Sequence, residues 1–231
     1  MIGYYLIIGL ATFGGWLISN RLKGKFKKYS RVPVRSGKSG AQIAKEMLDY
    51  YGINDVKITQ GQGFLTDHYN PLKKTITLSP GVYQGANVSA AAVAAHECGH
   101  AVQHAEAYQM LKVRSALVPA VQASSRMQQF LFMGFIFGMG AGAGLIGNVL
   151  MMALVVTFGI TALFSLITLP VEFDASRRAL LWLDDSGNTH GIEYDGAKDA
   201  LWWAAMTYVA SALSALVMFL YFLLMMAGGR D

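Results

Sequence analysis

A single cysteine, Cys98, excludes an intramolecular disulfide. Charged residues make up only 14% of the 231 positions, while apolar residues make up 54%, too many for an ordinary soluble domain of this length. Charge is missing altogether from residues 1–20, 127–171 and 200–229. A bilayer is crossed by about 20 apolar helical residues, so the first and third runs each supply one span. The second run is too long for one helix and supplies two. No internal repeat or low-complexity tract is present. The net charge of +5 is no nucleic-acid signal, because its most conspicuous source is a basic cluster beside an apolar run, a pattern that suits anionic lipid headgroups.

The second run needs a turn, and Gly140-Ala141-Gly142-Ala143-Gly144, with Gly147-Asn148 shortly after, offers one. Glycines at helical spacing could instead form a close helix-packing face, but the run still exceeds one helix. The first run has no basic segment before it; Arg21, Lys23, Lys25, Lys27, Lys28 and Arg31 follow it instead, as in a retained span and not a signal peptide. With the N-terminus outside, all of the 19 Lys and Arg except Arg230 fall on the cytoplasmic side, as the positive-inside tendency requires.

His96-Glu97-Cys98-Gly99-His100 spells H-E-x-x-H within an alanine-rich stretch, residues 87–107, that reads as a helix. Positions i and i+4 share one helix face, so both imidazoles can reach a single Zn²⁺. Glu97 then lies beside the metal, placed as a general base for peptide hydrolysis. Three fixed positions also recur by chance. Against chance stand the helix formers Ala90 to Ala95, the candidate N-caps Asn87 and Ser89, and Gly99, which leaves space for a substrate or a neighbouring backbone. Cys98 points about 200° away from His96 and reads as a packing residue.

Upstream, Ser39 or Gly40 precedes an amphipathic helix over residues 41–51, ended by Gly52. Two strands, residues 56–59 and 75–78, flank Asp67-His68-Tyr69-Asn70-Pro71, which has turn chemistry. Residues 75–78 alternate polar and apolar and are a candidate exposed strand for an extended substrate, or a plain sheet edge. Pro119 should end the motif helix near Leu117 and start a new one that enters the membrane.

A catalytic zinc usually has three protein ligands and one open position. His104 lies about 12 Å along the helix from His96, too far to share its ion. Glu172, in Leu169-Pro170-Val171-Glu172-Phe173-Asp174, is the first charge after an uncharged run and shares the membrane side of His96. A helix starting at Pro170 would place it in the first turn, where an acidic residue also suits the helix dipole. Asp174 is the alternative ligand, although its spacing to Arg178 is that of an ordinary i,i+4 ion pair. Candidates for stabilising the transition state are His68, Tyr69, His104, Tyr108 and His190.

His96-Glu97-Cys98-Gly99-His100-Ala101-Val102-Gln103, Leu65-Thr66-Asp67-His68-Tyr69-Asn70-Pro71 and Leu169-Pro170-Val171-Glu172-Phe173-Asp174-Ala175-Ser176 together resemble the YugP family of bacterial membrane zinc metallopeptidases. The likeness covers nearly the whole chain. It implies a gluzincin-like site similar to that of HtpX-type membrane proteases, with one Zn²⁺ per chain held by His96, His100 and Glu172. In that wider group an acidic residue follows the glutamate ligand by four positions; here Ser176 takes its place, which puts that supporting contact in doubt.

The expected architecture is a mostly α integral membrane protein with about four transmembrane helices and a small α+β zincin-like cytoplasmic domain. Its segments are span 1 (1–20), a basic linker and zincin-like domain (21–118), a hairpin of spans 2 and 3 (119–171), a cytoplasmic segment with the third ligand (172–199) and span 4 (200–229). The expected function is zinc-dependent hydrolysis of membrane-associated or unfolded polypeptide at the cytoplasmic face of a bacterial plasma membrane. The bilayer is the other expected partner, nucleic acid is not one, and no regulatory membrane partner is identifiable. The alternatives are an intramembrane protease, faintly suggested by Leu183-Asp184-Asp185-Ser186-Gly187, and a non-catalytic zinc-binding scaffold, against which an intact Glu97 argues.

Overall fold

The structure, a computed structural model, describes residues 2–138 and 144–228. Its elements are α1 (Ile2–Tyr29), α2 (Gly40–Tyr50), β1 (Lys57–Gln60), β2 (His68–Asn70), β3 (Thr75–Leu78), α3 (Pro80–Tyr83), α4 (Val88–Ala105), α5 (Gln109–Gly138), α6 (Leu145–Asp185) and α7 (Ile192–Gly228). They divide into two compact units. One comprises Met1–Trp16, Val113–Leu169 and Tyr208–Asp231; the other comprises Leu17–Lys112 and Pro170–Thr207.

In the first unit Leu154 and Val155 of α6 pack with Met218 and Phe222 of α7, and Phe158 stacks on Phe222 at 5.1 Å. Gln128 of α5 donates to the Thr161 hydroxyl of α6 at 3.1 Å. Two of the described helices, α6 and α7, are long and apolar enough to cross a membrane. The other two expected spans fall on α1 and α5, which are helical. Most of the expected hairpin turn, residues 140–143, lies outside the described residues, as does Arg230.

The second unit is built around α4. Asn87 caps it, its side chain accepting from Ala90 N–H at 3.0 Å, which satisfies a donor the first helical turn cannot. Its alanines are buried almost all round, and their small side chains let Ile43, Met47 and Leu48 of α2, Ile76 and Leu78 of β3, and Trp182 and Leu183 of α6 close in. α2 starts at a capping box between Ser39 and Gln42 and stops where Gly52 takes φ +66°. α1 continues through most of the basic stretch that follows the first apolar run, to Tyr29. Lys25 Nζ and the Tyr29 hydroxyl each donate to Asp199 at 2.6 Å.

Three expectations about local structure are corrected. First, the sheet has the order β1-β3-β2, with β1 parallel and β2 antiparallel to β3. Residues 75–78 are therefore the central strand, with both edges already paired, and are neither a free edge nor a docking strand. His68 to Asn70 forms the edge strand β2 in place of a turn. The turn follows it, where Asn70 Oδ1 accepts from the backbone N–H groups of Leu72 and Lys73.

Second, the motif helix ends at Ala105 and not near Leu117. Ala107 adopts φ 56°, and the N–H groups of Glu106, Ala107 and Tyr108 turn back to Val102, His104 and Gln103 carbonyls, closing the helix by local hydrogen bonding. Third, neither Pro119 nor Pro170 starts a helix; both lie inside one, α5 and α6. A proline removes one N–H from the ladder, a loss the rest of a long helix tolerates. Glu172 is thus in a helix interior, and a first-turn dipole effect does not explain it.

Candidate metal centre

His96 and His100 occupy successive turns of α4, with ring centroids 4.8 Å apart and nearly perpendicular planes. Glu172 enters from α6. Its Oε2 lies 3.4 Å from His96 Nε2 and 3.6 Å from His100 Nε2. Among the described residues these three make a group whose ligand atoms all lie within 4.8 Å of one another. Glu172 and His100 are buried, and the His96 side chain is 13% exposed.

The close approach of α6 to α4 depends on Gly99. A Cβ at that position would stand 2.5 Å from the Ala175 carbonyl oxygen and 3.1 Å from Ala175 Cα. The space expected at Gly99 is therefore filled by neighbouring backbone. Ala175 lies between Glu172 and Ser176, so this contact carries both side chains to the histidines.

The Nδ1 edges of both rings are occupied. Gln103, fully buried, donates through Nε2 to the Val171 carbonyl at 2.8 Å and to Asp174 Oδ2 at 3.0 Å. Its Oε1 is left to accept from His100 Nδ1–H at 3.0 Å. Ser176 Oγ lies 3.1 Å from His96 Nδ1. A proton held on Nδ1 leaves the Nε2 lone pair for a metal. Ser176 thus makes the supporting contact that its replacement of an acidic residue had put in doubt. Gln103 had been given no role. Its position three residues after His100 was a usable signal, but its partners on α6 were not visible.

Asp174 is turned away from the cluster. Arg178 Nε donates to its Oδ2 at 2.6 Å and Arg177 to its Oδ1 at 2.7 Å. Cys98 is buried, with its thiol against the Ala44 carbonyl. Glu97, between the histidines in sequence, is 8% exposed. Burial pushes its carboxyl up, while the imidazoles of His96 and His100 pull it down by less. Burial acts upward on the Glu172 carboxyl too, but the two imidazoles outweigh it and hold it well below the usual carboxylate range. His104 Nδ1 lies 2.8 Å from the Tyr69 hydroxyl. His68 is exposed, with Nδ1 at 2.9 Å from the Thr66 carbonyl, and His190 is exposed beside Asp184. Asp184 therefore belongs to a surface pair and not to a metal cluster.

The donor set fits zinc. Separations of 3.4 and 3.6 Å exceed a good N–H···O hydrogen bond. Two atoms each bound at roughly 2.0–2.1 Å to one tetrahedral ion stand about 3.3–3.4 Å apart. Two imidazoles and one carboxylate form the His₂Glu set of hydrolytic zinc sites, which keep a fourth position open. Since contacts to ligand Nδ1 atoms typically govern about 10–100-fold in metal affinity, Gln103→Leu should weaken zinc binding by that amount. Competition with a chromophoric chelator measures this, and wild-type affinity would rule out the supporting role of Gln103.

Two imidazoles of one helix and one carboxylate of a crossing helix define a candidate metal centre. The model of the family described as "Putative neutral zinc metallopeptidase" matches residues 4–227, and the chain belongs to that family. It is 39% identical over 232 residues to the "Putative membrane protease YugP" of Bacillus subtilis (strain 168), covering 100% of this chain and 99% of that protein. No solved structure matches the chain.

Proposed function

We propose that this protein is a membrane-bound zinc endopeptidase that cleaves membrane-associated or unfolded polypeptide at the cytoplasmic membrane face. His96, His100 and Glu172 hold one Zn²⁺, and Glu97 is the general base. The observation that carries this reading is the convergence of two Nε2 atoms and one carboxylate oxygen, with the buried Glu97 carboxyl outside that group. The ion, when bound, supplies Lewis acidity and lowers the pKa of a water molecule. Glu97 accepts a proton from the attacking water as its oxygen adds to the scissile carbonyl carbon. The same proton passes to the amine nitrogen as the C–N bond breaks.

Four spans are supported by the three charge-free runs, and α6 and α7 pass the test of length and apolarity. The clustering of basic residues between the runs supports a cytoplasmic site. A structural zinc site would have no use for Glu97. The test uses the full chain in detergent, with fluorescein-labelled casein as the probe. One zinc per chain should be found. Cleavage should stop on treatment with 1,10-phenanthroline and return with added Zn²⁺. Cleavage that survives complete removal of zinc, or a zinc-loaded chain without cleavage, would overturn the reading.

A further inference from the structure

The side of the histidine pair that faces α6 is filled by Glu172, Gln103 and Ser176. Successive residues turn about 100° around a helix, so Gly99 and Gln103 lie on that side of α4. Glu97 and His104 lie together on the other, about 100° and 80° around from His96. A peptide placed for Glu97 to act as its base therefore lies on the side that also carries His104. Residues four apart on a helix are neighbours, with Cβ atoms about 5–6 Å apart, so the His104 ring can reach a group bound beside His100.

The orientation of His104 is set from β2. The Tyr69 hydroxyl is 2.8 Å from His104 Nδ1, and the two rings are tilted at 54° with centroids 5.9 Å apart. Burial pushes the Tyr69 phenol up to about 12, so it keeps its proton near neutral pH and can donate to Nδ1. An imidazole that accepts at Nδ1 carries its proton on Nε2. Among the described residues, Nε2 of His104 makes no hydrogen bond.

On the basis of the endopeptidase reading, we propose that His104 Nε2–H is the catalytic donor to the oxyanion that develops on the scissile carbonyl, and that Tyr69 is the positioning residue that holds it. As water adds to the carbonyl carbon, the π electron pair moves onto oxygen and the His104 N–H hydrogen-bonds to it without transferring its proton. When the C–N bond breaks, the pair returns to re-form C=O. A donor of this kind acts mainly in the transition state.

The test compares zinc-loaded wild type with His104→Ala, His104→Gln, Tyr69→Phe and the double variant Tyr69→Phe/His104→Ala. Labelled casein gives kcat and KM, and calorimetry gives the Kd of a phosphonamidate peptide whose P–O⁻ imitates the oxyanion. His104→Ala should retain zinc and KM but lose about 10²-fold in kcat, the usual effect of removing one such donor. The phosphonamidate Kd should weaken in parallel. The Gln variant, with an amide donor, should recover part of both losses. Tyr69→Phe should lose less than His104→Ala, and the double variant should be no worse than His104→Ala alone, because Tyr69 acts through His104. A His104→Ala protein that binds the phosphonamidate as tightly as wild type overturns the proposal, as does additive loss in the double variant. Wild type that holds zinc without cleaving casein would defeat the endopeptidase reading instead, and the phosphonamidate Kd would still decide the role of His104.

Discussion

Glu97→Gln should keep its zinc and lose casein cleavage by about 10²–10⁴-fold, the range that a positioned acid–base group contributes. The substitution replaces one oxygen by NH₂ with little change of shape, and neither imidazole relies on Glu97 for its Nδ1 contact, since Gln103 and Ser176 supply those. Metal binding and fold should therefore survive. An amide, however, cannot take up a proton from water at neutral pH. The environment of Glu97 strengthens the expectation: the residue is 8% exposed, and burial pushes its carboxyl up, which makes the carboxylate a better base than a solvated one. Metal analysis beside a casein assay checks the result. A variant that keeps both zinc and full turnover would remove Glu97 from the mechanism.

Gly99→Ala should lower both stability and zinc affinity, although alanine is the better helix former by about 0.8–1.0 kcal/mol. The added methyl group would lie 2.5 Å from the Ala175 carbonyl oxygen. Both partners are backbone-fixed, so no rotamer change relieves the clash and α4 and α6 must separate. Overpacking of this kind costs roughly 1–3 kcal/mol and occasionally more, which exceeds the gain in propensity. The separation would carry Glu172 and Ser176 away from His96 and His100, because Ala175 sits between them in sequence. Thermal unfolding in detergent with and without zinc should show a lower midpoint in both conditions and a smaller zinc-induced rise than in wild type. An unchanged midpoint with full zinc content would contradict the close crossing at Gly99.

Much of the site was legible because its chemistry is local. His96, Glu97 and His100 lie within five residues on a helix whose start is marked by Asn87, so helical geometry alone turned their spacing into a metal face. Ser39 and Gly52 marked the ends of α2 for the same reason: caps act within one turn. Strand β2 escaped notice because three residues, His68 to Asn70, carry no periodicity. Only their pairing with Thr75 to Thr77 makes them a strand. Pro119 and Pro170 misled because proline's local preference yields when the helix on either side is long and well supported.

What the sequence by itself determined was the pair of histidines, the carboxyl between them and the apolar runs, since each depends on spacing of 3.6 residues per turn or on composition. Only the tertiary structure decided that Glu172 and not Asp174 meets the histidines, that Gln103 and Ser176 hold their Nδ1 atoms, and that Tyr69 reaches His104. Apart from the His100–Gln103 pair, three residues apart on α4, these contacts join residues 35 to 80 positions apart. Their partners are set by how closely two helix backbones can approach at Gly99 and Ala175, a packing property that no local pattern encodes.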